Sequence, residues 1–132
     1  MTTSRDELAQ RIDTIESGYE FLLAYAAQGH ESDKQAGPGQ EVRDYLEAMS
    51  KALEGLGTIV MDVADANHGA AVNEFRPFLE ALESDARKAG AAVRLVLAQE
   101  GISSQLVDNL NASIHLRALL TDLFIIDEAF TG

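Results

Sequence analysis

Cysteine and tryptophan are absent from this chain, and only two of its 132 residues are proline. Without cysteine the protein has no disulfide bond, no thiolate metal ligand and no cysteine nucleophile. With so little proline, long helices can run uninterrupted. Aromatic residues are also few, at 6% of the sequence, whereas alanine, leucine and glutamate, which favour helices over strands, are abundant. These features predict an all-α fold.

Positive charge is also scarce: 10 lysines and arginines stand against 22 aspartates and glutamates, which gives a formal net charge of −12. Affinity for nucleic acid and for anionic membranes depends on basic residues, so both are poor partners for this chain. The polar N-terminal residues 1–16 contain no apolar segment of the kind found in secretory signals. We therefore expect a cytoplasmic protein with no nucleic-acid and no membrane partner.

The length of the chain suits a single helical-bundle domain, residues 1–132. A domain of this size buries roughly two-thirds of the surface that its unfolded chain exposes, which is enough for a hydrophobic core. Hydrophobic residues make up 46% of the sequence, and we find no internal repeat or low-complexity segment that would divide it.

The N-terminal third predicts one helix followed by a loop. Ser4 and Glu7 have the spacing of a capping box at a helix start, and Gly29 is suited to the end of the helix. Between them, apolar residues recur at spacings of three and four, as expected for one buried face. Residues 30–39 are polar and rich in glycine and proline, which favours a loop.

The middle of the chain predicts two more helices. One of about 27 residues begins near Gln40. It contains Gly55 and Gly57, where we expect close packing against a neighbouring helix, a bend or a break. The next helix carries apolar residues from Val72 to Val96, and Pro77 requires it either to start near Asn73 or to be kinked.

A fourth helix is predicted after Gly101, capped by Ser103 or Ser104. Its buried face should run through the apolar residues at three- and four-residue spacings, which are Leu106, Leu110, Ile114, Leu120 and Phe124. Four helices of similar length with short connections predict an antiparallel four-helix bundle, up-down-up-down.

The end of this helix, residues 116–130, is apolar around most of its circumference. One buried stripe cannot account for such a helix, so it must lie at the centre of the bundle or at a subunit interface. We expect Leu120 and Phe124 to be buried, and His115 and Asp122 to lie on a solvated face. Arg117 should pair with Glu16 or Glu20, or emerge at an edge.

Two groups of residues are weak candidates for a metal site. Asp62, Asp65 and His68 lie within two turns of one another, but the inward positions around them are apolar. His115 and Asp122 share a face with Asp108 and Asn111, and a cation could lie between them. Solvated helix surfaces account for both groups better than a metal site does, so no metal ligand is assigned.

Other chemistries find little support in the sequence. There is no glycine-rich phosphate loop followed by lysine, and no serine has a companion histidine and acid that would activate it. His68 lacks the following lysine typical of phosphotransfer histidines. Tyr19, Tyr25 and Tyr45 could line a small-molecule pocket, although tyrosines at helical spacing more often belong to the core. We expect no cofactor and, on balance, no enzyme.

The leading hypothesis is a non-enzymatic helical module that self-associates as a homodimer or binds a partner protein. Its alternatives are a metal-binding or redox bundle of the ferritin-like kind and a small-ligand-binding bundle. Apolar residues beyond one buried face are typical of contact surfaces. The expected contact residues are Phe21, Tyr25, Ile125, Ile126 and Phe130.

Overall fold

A computed structural model describes residues 3–34 and 39–131 of the chain. Over these residues the fold is all-α, as predicted, with no β-strand. The α-helices are α1 (Ser4–Ala27), α2 (Gly39–Leu53), α3 (Leu56–His68), α4 (Val72–Leu97), α5 (Ser104–Ala112) and α6 (Ile114–Thr131). A short 3₁₀ helix, Gly69–Ala71, joins α3 to α4. The described chain therefore contains six α-helices where the sequence predicts four.

The ends of α1 lie close to their predicted positions. Thr3, rather than Ser4, is the N-cap: its hydroxyl accepts from the amide of Asp6 at 3.1 Å, and the Asp6 carboxylate accepts from the amide of Thr3. The capping box is thus one residue earlier than predicted, because aspartate can replace glutamate as the acidic partner. Gly29 follows the helix with a φ of 71°, which confirms it as the stop.

The predicted second helix is broken into α2 and α3, and its two glycines have different roles. Gly55 has a φ of 65° and ends the regular helix. Gly57 packs against Glu83 of α4, whose carboxylate accepts from the Gly57 amide at 2.6 Å. A side chain at Gly57 would collide with Glu83. Glu83 therefore caps α3, whose own N-cap glycine has no side chain to do so.

Helix α4 is the longest element and runs unbroken through Pro77. It begins at Val72, so Pro77 lies in its second turn, where the missing amide costs the helix one hydrogen bond. This start is within one residue of the position that the sequence indicates.

The prediction of one continuous fourth helix is wrong, because Ser113 separates α5 from α6. Ser113 has φ −58° and ψ 132°, an extended conformation that interrupts the helical hydrogen bonds. Residues beyond this break are no longer in phase with those before it. Ile114 is consequently 75% exposed and Phe124 is 60% exposed, although the sequence pattern places both in the core.

One hydrophobic core connects the helices. Helix α1 packs on α2, α3 and α5, whereas α4 packs on α2, α3, α5 and α6. The largest fully buried core residues are Ile15, Leu22 and Tyr25 of α1, Val42, Leu46 and Met49 of α2, Leu56 of α3, Leu82 of α4, Ile102, and Leu116, Leu119 and Leu123 of α6. Over the described residues, no helix is both long and apolar enough to cross a bilayer.

The two sides of α6 differ in burial. Its inner side contributes Leu116, Leu119, Leu120, Leu123 and Ile126 to the core. Leu120 is therefore buried as predicted. Ile114, Phe124 and Ile125 point away from the protein, because a helix that packs mainly on α4 and α5 cannot bury its whole circumference.

The neighbours Leu123 and Phe124 test this orientation of α6. Leu123 is 1% exposed, so Leu123→Ala should lower the free energy of unfolding by about 2 to 5 kcal/mol through lost burial and the cavity left behind. Phe124→Ala removes a larger side chain but should cost less than about 1 kcal/mol, since Phe124 is largely exposed. Urea denaturation of both variants measures the difference; a larger loss at Phe124 would show that α6 is rotated.

Candidate functional site

A buried ion pair joins the loop after α1 to the start of α2. Asp33 is only 6% exposed, and its carboxylate accepts from Arg43 Nε at 2.6 Å and from the amide of Ile102 at 2.7 Å. Burial raises the pKa of Asp33, but these hydrogen bonds and the positive charge of Arg43 outweigh it, so the pKa lies below its ordinary value. The carboxylate is therefore ionised, and both of its oxygens accept hydrogen bonds.

Arg43 also binds the C-terminal end of α4. Its guanidinium donates to the carbonyls of Leu97 at 3.2 Å, Gln99 at 3.0 Å and Glu100 at 3.1 Å. Carbonyls at a helix end lack partners within the helix and carry the negative end of its dipole, so a cation is favourable there. One arginine thus holds together the α1–α2 loop, α2 and the end of α4.

Hydroxyl groups extend this cluster to α5. Tyr25 donates to the carbonyl of Ile102 at 2.7 Å, and Ser104 donates to the carbonyl of Tyr25 at 2.7 Å while it accepts from the amide of His30 at 2.8 Å. Burial, followed by the negative charge of Asp33, raises the pKa of Tyr25. We call Tyr25, Asp33, Arg43 and Ser104 the junction cluster. Its polar groups bind other parts of the chain, which indicates a structural role.

The outward side of α6 exposes apolar side chains. Ile114, Phe124 and Ile125 are 75%, 60% and 49% exposed. At 3.6 residues per turn, Ile114 and Ile125 fall about three turns apart on one line, with Phe124 to one side. Arg117 and Glu128, both exposed, have the same spacing on a parallel line. We call these five residues and Thr121, which lies among them, the outer face of α6.

Arg117 is the only cation on this face. It forms no ion pair within the part of the chain that the structure describes, and the predicted pairing with Glu16 or Glu20 is not found there. The alternative expectation, that it emerges at an edge, is the one that the structure supports. Its guanidinium is free to meet an external acid.

A shallow groove of about 560 Å³ runs along the start of the outer face. Its lining consists of Ala112, Ile114, Arg117, Ala118, Thr121 and Asp122. Asp122 lies on the floor and is only 9% exposed. The prediction that Asp122 lies on a solvated face is therefore wrong, because the packing of α6 on α4 turns this residue inward.

Asp122 faces Asp85 of α4, so that a proton can lie between the two carboxylates. Burial, a hydrogen bond with Asp85 and the negative charge of Asp85 raise the pKa of Asp122 to about 7. Among the described residues, Oδ2 of Asp122 has no hydrogen-bond donor. Two carboxylates can bond each other only when one is protonated, so a hydrogen bond between Asp122 and Asp85 requires a proton on one of them.

The residues predicted as contacts are spread over several environments. Tyr25 and Ile126 are buried in the core and are not accessible on the folded protein. Phe21 is half-buried and stacks on Tyr45, with ring centroids 4.3 Å apart. Phe130 is half-buried and packs against the core. Ile125 alone of the five lies on the exposed outer face of α6.

The candidate metal ligands whose side chains the structure describes do not converge. Asp62 and Asp65 are exposed on α3, which ends at His68, whose side chain lies outside the described residues. His115 is exposed, and the break at Ser113 separates it from α5 and its polar residues. In the described part of the chain, no three histidines or carboxylates are grouped so as to hold a metal ion.

A small apolar cavity of about 80 Å³ lies between α1, α3 and α6. It is lined mainly by Leu8, Ala9, Ile12, Val63, Ile126 and Phe130, with Arg5 and Asp127 also at its wall. Pockets for drug-sized ligands usually measure about 300 to 1,000 Å³. The cavity is too small for such a ligand, and none of the three tyrosines considered above lines it.

Sequence reasoning missed the two most informative groups. Asp33 and Arg43 give no local signal, since their pairing depends on how the loop folds back over the end of α4. Asp85 and Asp122 are distant in sequence and meet only when α4 and α6 pack. The one available clue was that Asp122 interrupts an otherwise apolar helix, and such a residue is either solvated or specifically partnered.

The junction cluster predicts a large effect of Arg43→Met on stability. Methionine keeps an apolar stem but leaves the buried Asp33 carboxylate without its cation, which should cost about 3 kcal/mol of unfolding free energy. Urea denaturation at neutral pH measures it. Arg76→Met, at an exposed position of α4, is the control and should change stability by less than about 0.5 kcal/mol. Equal small effects would contradict a structural role for the ion pair.

The carboxylate pair predicts that Asp122→Asn stabilises the protein at alkaline pH. The pKa of Asp122 is about 7 in the folded protein, above the ordinary 3.8. Proton binding by Asp122 therefore stabilises the folded state fully below pH 3.8, and this contribution is lost as pH rises through 7. Asparagine donates to Asp85 at every pH. The melting temperature of the variant should exceed that of the wild type at about pH 8 and be close to it at about pH 4. A variant with a lower melting temperature at both pH values would refute the proposed proton between the carboxylates.

Comparison with known proteins identifies no relative of this chain. No protein-family model, no curated protein and no solved structure matches it. Its function must therefore be inferred from its own residues and their arrangement.

Proposed function

We propose that this protein is a non-enzymatic helical module that forms a homodimer through the outer face of α6. The observation that carries the proposal is the exposure of Ile114, Phe124 and Ile125 on one side of a single helix. Apolar side chains grouped on an exposed helix face are favourable only when another surface removes them from water. A second copy of the chain provides a surface that matches this one.

The helix arrangement leaves this face accessible. We propose that α2 with α3, and α5 with α6, each act as one broken rod, so that four rods form an up-down-up-down bundle. Neighbouring rods in such a bundle pack along the chain order, which agrees with the packing of α1 on α2 and α5, and of α4 on α3 and α6. The outer face of α6 then points away from both rods that flank it.

The sequence of α6 is self-complementary when two copies run antiparallel. A twofold axis midway between Thr121 and Phe124 places each Arg117 opposite the partner's Glu128, because both pairs are centred on the same point of the helix. The same axis places Phe124 against the partner's Thr121. All four residues lie within about a quarter of the helix circumference. In such an isologous contact every interaction occurs twice, once on each side of the axis.

Charge favours this register over others. Each chain carries a net charge of −12, so most surfaces of two copies repel each other. Screening at physiological ionic strength limits this repulsion to about 8 Å. The outer face is one of the few places where a cation, Arg117, can meet a carboxylate of the other copy. Two ion pairs therefore select the antiparallel register, while the apolar residues supply the affinity.

The size of the contact predicts a weak dimer. Helix α6 is about 27 Å long, and one face of such a helix falls at the low end of the interface range, below about 1,200 Å² in total. We therefore expect micromolar affinity. Compared with the contact set predicted from sequence, this surface keeps Ile125 and replaces the other residues by Ile114, Phe124, Arg117 and Glu128.

Charge reversal tests the proposed dimer. Arg117→Glu and Glu128→Arg should each raise the dissociation constant at least about tenfold, because each places like charges opposite one another twice. The double variant R117E/E128R should restore association, since it exchanges the partners of both ion pairs. Sedimentation velocity over a concentration series measures all three.

Lys51→Glu is the control for net charge. Lys51 is exposed on α2, a helix that packs on α1 and α4. The substitution Lys51→Glu changes the net charge by the same amount as Arg117→Glu. It should leave the dissociation constant within about twofold of the wild-type value. A wild-type protein that sediments as a monomer of 14.2 kDa at every concentration would contradict the proposal. So would a double variant that associates no better than the single ones.

A further inference from the structure

We infer that protonation of Asp122, the buried carboxylate that lines the groove beside the outer face of α6, controls this dimer, so that this face associates when Asp122 is protonated and separates when it is not. The inference rests on the proposed function, because it assigns regulation to the same surface. Its structural basis is the position of Asp122 in the floor of the groove beside Ile114 and Ala118. Arg117 and Thr121 of the outer face line the same groove, so a second copy seated on them closes the groove to which Asp122 is open.

Covering the groove changes the free energy of the ionised pair. Asp122 is already 9% exposed, and Oδ2 has no donor among the described residues. The small exposed part of Asp122 faces the open groove that it lines. When a partner closes the groove, two negative carboxylates lose hydration, which is costly for charged groups. The protonated pair carries one charge fewer and an internal hydrogen bond, so it is covered at lower cost.

The charged groups near the pair lie on α4 and α6, whereas those of α5 and α1 lie elsewhere. Asp85 is the group of α4 whose charge acts on Asp122. On α6, Arg117 lines the same groove. Helix α5 carries one charged residue, Asp108, which lines a separate groove beside His30. At the other end of α6, Arg5 of α1 and Asp127 lie at the apolar cavity. Asp85 is therefore the charge that acts on Asp122, and Arg117 is the cation that lines the groove with it.

The sign of the pH dependence follows from linkage. The pKa of Asp122 in the separate chain is about 7, and closing the groove raises it further, so dimer formation takes up protons above that pH. The dissociation constant should be constant well below pH 7 and rise above it. Because each copy takes up at most one proton, each copy can change the dissociation constant by at most about tenfold per pH unit.

Sedimentation velocity between roughly pH 6 and roughly pH 8, on either side of the pKa, tests the inference. The wild-type dimer should weaken at least about tenfold over this range. Asp122→Asn supplies a hydrogen-bond donor without charge at every pH. Its dimer should therefore keep, over the whole pH range, the affinity that the wild type has at acidic pH. Asp85→Asn is the second variant and should behave in the same way if Asp122→Asn does not fold.

His115 is the matched control, because it is exposed at the start of α6 and histidine ordinarily titrates in this pH range. His115→Gln should retain the pH dependence of the wild type. If it abolishes that dependence, or if both asparagine variants keep it, the inference is wrong. A dimer with the same affinity at every pH overturns the inference but leaves the proposed function intact, whereas a monomer at every pH overturns both.

Discussion

The ion pair between Asp33 and Arg43 is the contact on which the arrangement of the helices depends. It closes the loop after α1 over the end of α4, and the same carboxylate fixes Ile102 just before α5. Because Ser104 is also bonded to the end of α1, α5 must begin against α1. The direction of the last part of the chain is therefore set far from α6 itself, by a cluster whose polar groups stabilise the fold.

The break at Ser113 then decides which residues of α6 meet water. Helix α5 packs on α1, whereas α6 packs mainly on α4, and the extended residue between them allows this change of neighbour. Leucines cover the inner side of α6, while Ile114, Phe124 and Ile125 remain outside. The same rotation buries Asp122 against Asp85 beneath the groove. An apolar surface and a titratable pair thus lie next to each other because one helix is broken at one residue.

Much of the fold could be predicted from local patterns. The all-α class, the stop at Gly29 and a cap at Ser103 follow from propensities and side-chain chemistry that operate over a few residues. The break at Ser113 could not be predicted, because serine is compatible with a helix and the apolar spacing continues across it. Asp85 and Asp122, like Asp33 and Arg43, are brought together by tertiary packing, and neither pair has a signature in the sequence. The candidate site was therefore predictable only as far as an apolar excess in α6.

The most direct test of the account maps the contact on the unmodified protein. Amide chemical shifts of the isotope-labelled chain, followed by NMR through a dilution series at slightly acidic pH, report which residues change environment on association. We expect concentration-dependent shifts along the outer face of α6, at Ile114, Arg117, Thr121, Phe124, Ile125 and Glu128, with smaller changes elsewhere. Shifts centred instead on the exposed Leu23 and Tyr45, or no shifts at any concentration, would contradict it.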